Sequence, residues 1–138
     1  MIIDNLKKVS PSMDTWLKEA KKDPSAVNVG MYLAHNGVVR QTPKAKVRNG
    51  IDDGSVVTGM DFSFDQGKVD MAIAEAKMLD GIYYVRVWLN EGRLGLGDDI
   101  MFVLIGGDIR PHVVDALQYL VEKIKTECVV EIEQGEKT

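Results

Sequence analysis

The sequence predicts an α+β domain, a mostly antiparallel sheet packed with three helices, and three observations carry that reading. Segments rich in β-formers interleave with stretches of helical periodicity, a glycine-rich turn joins two apolar strands into a hairpin-like unit, and no internal repeat or low-complexity tract interrupts the order. Interleaved strands of this kind need mostly antiparallel pairing, which separates the class from parallel α/β folds.

Each element has its own signal. In "SPSMDTWLKEAKKDP", Ser and Asp stand at capping positions, Trp16, Leu17 and Ala20 share one helical face, and Pro24 ends the run. "VNVGMYLAHNGVVR" is β-rich and broken by Gly30 and Gly37, which predicts a strand with a bend or bulge leading to Arg40. Residues 41–54, "QTPKAKVRNGIDDG", are polar and contain Pro, Gly and three cations, so a mobile loop is expected. "SVVTGMDFSFD" alternates Met60, Phe62 and Phe64 against Asp61 and Ser63 and reads as a strand. Val69, Ala72, Ile73, Ala76 and Leu79 then recur at helical spacing between two glycines. "IYYVRVWLNEGRLGLGDDIMFVLIGGD" reads as two strands joined through a turn at Gly92, Gly95 and Gly97. The last helix opens near Arg110 and Pro111, with proline favourable in the first turn. It carries Val113, Val114, Leu117, Leu120, Val121 and Ile124 as one stripe, and "VVEIEQ" follows as a short strand.

The totals bound the function. A chain of 138 residues suits one domain, read here as spanning 1–138, able to bury about two-thirds of its unfolded surface. Hydrophobic and charged fractions of 45% and 28% suit a globular protein. The absence of an 18-residue apolar run argues against a membrane span, and "MIIDNLKKVS" lacks a leader pattern, so a cytoplasmic location is the expectation. The lone Cys128 cannot make an internal disulfide. A net charge of −4 argues against a nucleic-acid partner.

Most residues with chemical potential have a plain reading. "GRLGLGDD" lacks the Walker lysine and the Gly-x-Gly-x-x-Gly order and is followed by a strand, so it is read as a turn. Asp98 and Asp99 have no further ligand spaced to join them, and no metal or resident cofactor is expected. His35 and His112 lie in different elements and are read as structural or surface histidines, while Cys128 sits where a thiol pKa would rise. The cations say more. Arg40 ends a strand, Lys44, Lys46 and Arg48 follow in the loop, and Arg110 and Lys125 bracket the last helix at the border of its stripe. Fifteen positions separate Arg110 from Lys125, roughly 22 Å of helix, so one small ligand meets both only if two subunits share a pocket.

Three stretches resemble the large, catalytic subunit of molybdopterin synthase: "GMYLAHNGVVR", "VRVWLNEGRLGLGDDIMFVLI" and "DIRPHVVDALQYLVEKIKTE". The resemblance implies an α/β hammerhead-like fold, a homodimer, and a small ubiquitin-like sulfur-carrier partner with a C-terminal thiocarboxylate. The implied substrate is cyclic pyranopterin monophosphate, a pterin phosphate that receives two sulfurs to become molybdopterin in molybdenum cofactor biosynthesis. Lys125 matches the family's proposed catalytic lysine and Arg110 a functional arginine. Arg40 falls in step with the family's Gly-x-Val-Arg and suits oxyanion binding. Lys44, Lys46 and Arg48 are further candidates to supply charge from the loop.

The departures define an alternative. The family usually has an aromatic residue at His35 and a histidine at Ile109. Ile132 stands where a second, substrate-facing lysine is expected, flanked by Glu131 and Glu133. Carboxylates there oppose an anionic substrate. The alternative is therefore a non-catalytic dimeric paralogue that binds a carrier protein or a small anion.

Overall fold

The structure, a computed structural model, describes residues 6–137, so the first five residues of the stretch in which a leader was sought lie outside the described residues. Its strands form two three-stranded sheets in which every described pairing is antiparallel. The first sheet has the order β1 (Met31–Val38), β5 (Asp99–Gly107), β3 (Ile82–Leu89), and the second β4 (Gly92–Gly95), β2 (Ser55–Phe64), β6 (Val129–Lys137). Four α-helices accompany them among the described residues: α1 (Met13–Ala20), α2 (Lys44–Asn49), α3 (Gln66–Lys77) and α4 (Arg110–Lys123).

β5 is the axis of the first sheet. Its apolar run is buried on both faces, the pattern of a strand covered on each side. Met101, Val103 and Ile105 turn toward the main core, which they share with Val113, Leu120 and Ile124 of the α4 region. Phe102 and Leu104 turn the other way and pack with Trp16 and Ala20 of α1. Ser12 caps α1 by accepting the Thr15 N–H, and Asp65 caps α3 by accepting the Lys68 N–H. Burying Val113, Leu120 and Ile124, each 0% exposed, contributes about 1.5–3 kcal/mol per side chain and fixes α4 on the sheet.

Three expectations are corrected. The segment 41–54 is not all loop, because Lys44–Asn49 forms α2, ended by Gly50 in the left-handed region (φ 69°). This helix buries no residue, so no apolar stripe announces it. The helix count rises from three to four accordingly. The glycine-rich connection between β3 and β5 is also more than a turn: Gly92–Gly95 leaves the first sheet and pairs with Gly59–Phe62 of the second. Asn90, 1% exposed, secures that crossing, donating to the Asp99 carbonyl and accepting the Lys8 and Glu91 N–H groups. Finally, the apolar stripe of α4 includes Ala116, 1% exposed, whereas Val114 is only half-buried.

Candidate functional site

The end of α4 is a single wide turn, Ile124–Cys128, with π-type geometry, a feature often found at functional sites. Ile124 and Cys128 are buried on either side of it, which leaves Lys125 half-buried at the edge of the core. Arg40, two residues beyond β1, approaches the same place, as do Lys44 and Arg48, one turn apart on α2. Val38, Met60 and Ile100 supply the apolar wall of a small cleft that contains all four cations.

β6 closes this cleft. Its register pairs Glu131 with the fully buried Phe62 and Glu133 with Met60, and directly opposed residues share a face. Both carboxylates therefore point inward. Glu131 Oε2 lies 2.5 Å from Lys44 Nζ, and the Glu131 side chain is only 5% exposed. Both oxygens of Glu133 accept the Lys44 backbone N–H, at 3.2 and 3.3 Å. Pro43 offers no side-chain cap to α2, so Glu133 does the capping from another strand. Four cations against two carboxylates leave a formal excess of two positive charges, and the free volume among them is about 40 Å³.

The sequence-derived candidates divide clearly. Lys125, Arg40, Lys44 and Arg48 are brought together. Lys46 is not: it turns outward to Asp52 at 3.2 Å. Arg110 is exposed at the opposite end of α4, which agrees with the separation anticipated from sequence. Ile132, expected to replace a substrate-facing lysine, lies on the outer face of β6 opposite Asp61 and is 53% exposed. Strand alternation thus gives the cleft to Glu131 and Glu133 and removes position 132 from it.

His35, read from the sequence as a structural or surface histidine, is half-buried and is not among the residues that line the cleft. His35 shares the inward face of β1 with Leu33, and burial first, then the nearby charge of Lys125, lowers its pKa below 6.5. It is therefore a neutral imidazole at neutral pH. The period-two pattern of β1 could have signalled its inward direction. His112 instead pairs with Asp108, Nδ1 to Oδ1 at 2.7 Å, and this bond holds the Asp108 carboxyl below its ordinary value. Gly81, at φ 75°, makes room for the pair, since a Cβ there would lie 2.2 Å from Asp108 Oδ1. The Cys128 thiol is buried, with its pKa pushed up by burial, as its neighbours in sequence suggested. Among the described residues, no group of His, Cys, Asp and Glu is placed to hold a metal ion, and no helix is long and apolar enough to cross a membrane.

The comparisons agree with this architecture. No curated protein matches the sequence. Molybdopterin synthase from Staphylococcus aureus superposes with a TM-score of 0.70 at 16% identity, over 94% of this chain and 90% of that one. The molybdopterin biosynthesis MoaE protein of Burkholderia ambifaria gives 0.68 at 16% identity, over 95% and 87%. A complex of subunits 1 and 2 of the molybdopterin-converting factor from Helicobacter pylori gives 0.63 at 16% identity, over 90% and 79%. At these identities the likeness is one of fold. Residues 10–127 match the family described as MoaE protein, a span that includes Lys125 and stops short of the acidic strand. The chain therefore belongs to the MoaE family, the large subunit of molybdopterin synthase, and with it to molybdenum cofactor biosynthesis.

Proposed function

We propose that this protein acts as the large subunit of a molybdopterin synthase, moving sulfur from a thiocarboxylated carrier protein to cyclic pyranopterin monophosphate. The observation that carries the reading is the convergence of Lys125 with Arg40, Lys44 and Arg48 in one cleft. A pterin phosphate and a carrier thiocarboxylate are both anions, and fixed guanidinium and ammonium groups match them without reorganisation. Lys125 is given the catalytic role, because its half-buried ammonium can neutralise charge at the reacting group. Arg40 and Arg48 are given the substrate anion.

Arg110 enters through a homodimer. Since it lies at the far end of α4 from Lys125, it serves the pocket only when a second copy brings it there. The carrier partner is proposed from the family and from the two-subunit Helicobacter pylori complex, and a cytoplasmic setting accords with the free thiol of Cys128. The decisive experiment supplies the chain with a thiocarboxylated carrier and the pyranopterin precursor. Dithiolene product is expected; none, under conditions where an established synthase works, overturns the enzyme reading.

One observation favours a second reading, a dimeric paralogue that binds a carrier protein or small anion without turnover. Lys44 is already neutralised by Glu131, so part of the cation set is occupied. Unchanged ligand affinity in Lys125→Ala, together with no turnover in the parent, selects that reading.

A further inference from the structure

Two buried polar side-chain atoms among the described residues lack a hydrogen-bond partner: His35 Nε2 and Glu131 Oε1. Of the two, Glu131 lines the cleft that contains Lys125, and His35 is not among the residues that line it. Buried polar atoms are nearly always paired, because an unmet group loses its water without compensation. Glu131 Oε1, unpaired in a cleft whose other carboxylate oxygens are engaged, marks a place for a polar visitor.

The engaged oxygens define what that visitor offers. Glu131 Oε2 is taken by Lys44 Nζ at 2.5 Å, and both Glu133 oxygens by the Lys44 N–H at 3.2 and 3.3 Å. An ionised carboxylate only accepts hydrogen bonds, so Oε1 calls for an N–H or O–H donor and repels a bare anion. The free volume of about 40 Å³ has room for a small polar group such as an amino substituent.

We propose that Glu131 is the specificity subsite of the cleft, reading the amino-substituted, N–H-donating edge of a heterocyclic ligand whose anionic group goes to Arg40 and Arg48. This inference rests on the anionic heterocycle proposed above and adds which edge is read and by which atom. It also gives the acidic strand a purpose. A carboxylate beside cations lowers affinity for free phosphate, yet it rewards a ligand that brings a donor as well as an anion. Glu131 thus selects against the simplest anions rather than merely opposing the substrate.

The test is calorimetric titration of the full chain with three probes: inorganic phosphate, neopterin monophosphate, and the 2-deamino analogue of the latter. The wild type is expected to prefer the amino compound over the deamino compound by about tenfold or more, the range of a hydrogen bond to a charged group. Glu131→Gln is expected to lose that preference and to bind inorganic phosphate more tightly. Glu133→Gln, whose oxygens serve the Lys44 N–H, is expected to keep the preference. Should Glu131→Gln fail to fold, Glu131→Asp retains the charge but shortens the reach, and a reduced preference gives the same answer. No amino preference in the wild type, or an undiminished one in both Glu131 variants, overturns the proposal and leaves Oε1 to water. A chain that shows the preference but makes no dithiolene product keeps this subsite and loses the proposed reaction, so the two failures are distinct.

Discussion

The two ends of α4 carry cations in opposite settings. At the first, Arg110 is exposed, and the polar side chains beside it, Asp108 and His112, satisfy each other within one turn of chain. At the second, Lys125 is half-buried in a wide turn, and its surroundings come from β1, α2 and β6, segments far apart in sequence. The contrast shows that a cation at a helix end becomes a site only when other elements close around it. In the proposed homodimer, an enclosed end and an open end would supply the two halves of a shared pocket.

The helix joining these ends is the first place to break the comparison. Leu120→Ala removes a fully buried side chain between them and is expected to cost about 2–5 kcal/mol of stability, measured by urea denaturation. A much smaller loss means that α4 is not the rigid spacer between the two ends. Next in size, Lys125→Ala is expected to lower sulfur-transfer turnover about 100- to 1,000-fold with little change in thermal midpoint. An activity within tenfold of wild type removes the cleft from the chemistry.

The same variant sharpens the role of Arg110. If two copies share each pocket, mixing Lys125→Ala with Arg110→Ala under subunit exchange creates dimers with one intact site, and about a quarter of wild-type activity returns. No recovery, when each variant alone is a folded dimer, assigns the two ends to separate tasks.

The smallest expected effects are in pH dependence, where the ends separate by window. His35 has a pKa below 6.5 in the folded protein, so the unfolded chain takes up its proton first, and stability falls as pH drops below about 6.5. His35→Phe should flatten the dependence of stability on pH below about 6.5. Asp108 is also depressed, chiefly by its bond to His112, but from the carboxylate value of 3.8. Its contribution is present above that value and lost as pH falls through the lower folded one, and His112→Gln should diminish only this acid limb. A single shared window for both variants would dissolve the distinction.

Much of the fold was legible because it rests on periodicity. The stripe of α4, the continuous apolar run of β5 and the alternation in β2 each state which face is buried, and burial is what holds them. α2 was illegible for the complementary reason: it has no buried face, and its first turn is capped by Glu133 from a distant strand. β4 is four residues containing two glycines, and it is a strand only because Gly59–Phe62 pairs with it.

The candidate site divides in the same way. The sequence by itself determined that Lys125 ends an amphipathic helix at the border of its stripe, that Arg40 follows a strand, and that acidic residues alternate in the last segment, since these are properties of local spacing. Only the tertiary structure decided that Lys44 and Arg48 join Lys125 while Lys46 turns away to Asp52. It likewise turned Glu131 and Glu133 inward while Ile132 faces out. The physical reason is register: the pairing of β6 with β2 sets Glu131 opposite Phe62, and a slip of one residue would have exchanged every side chain between the two faces.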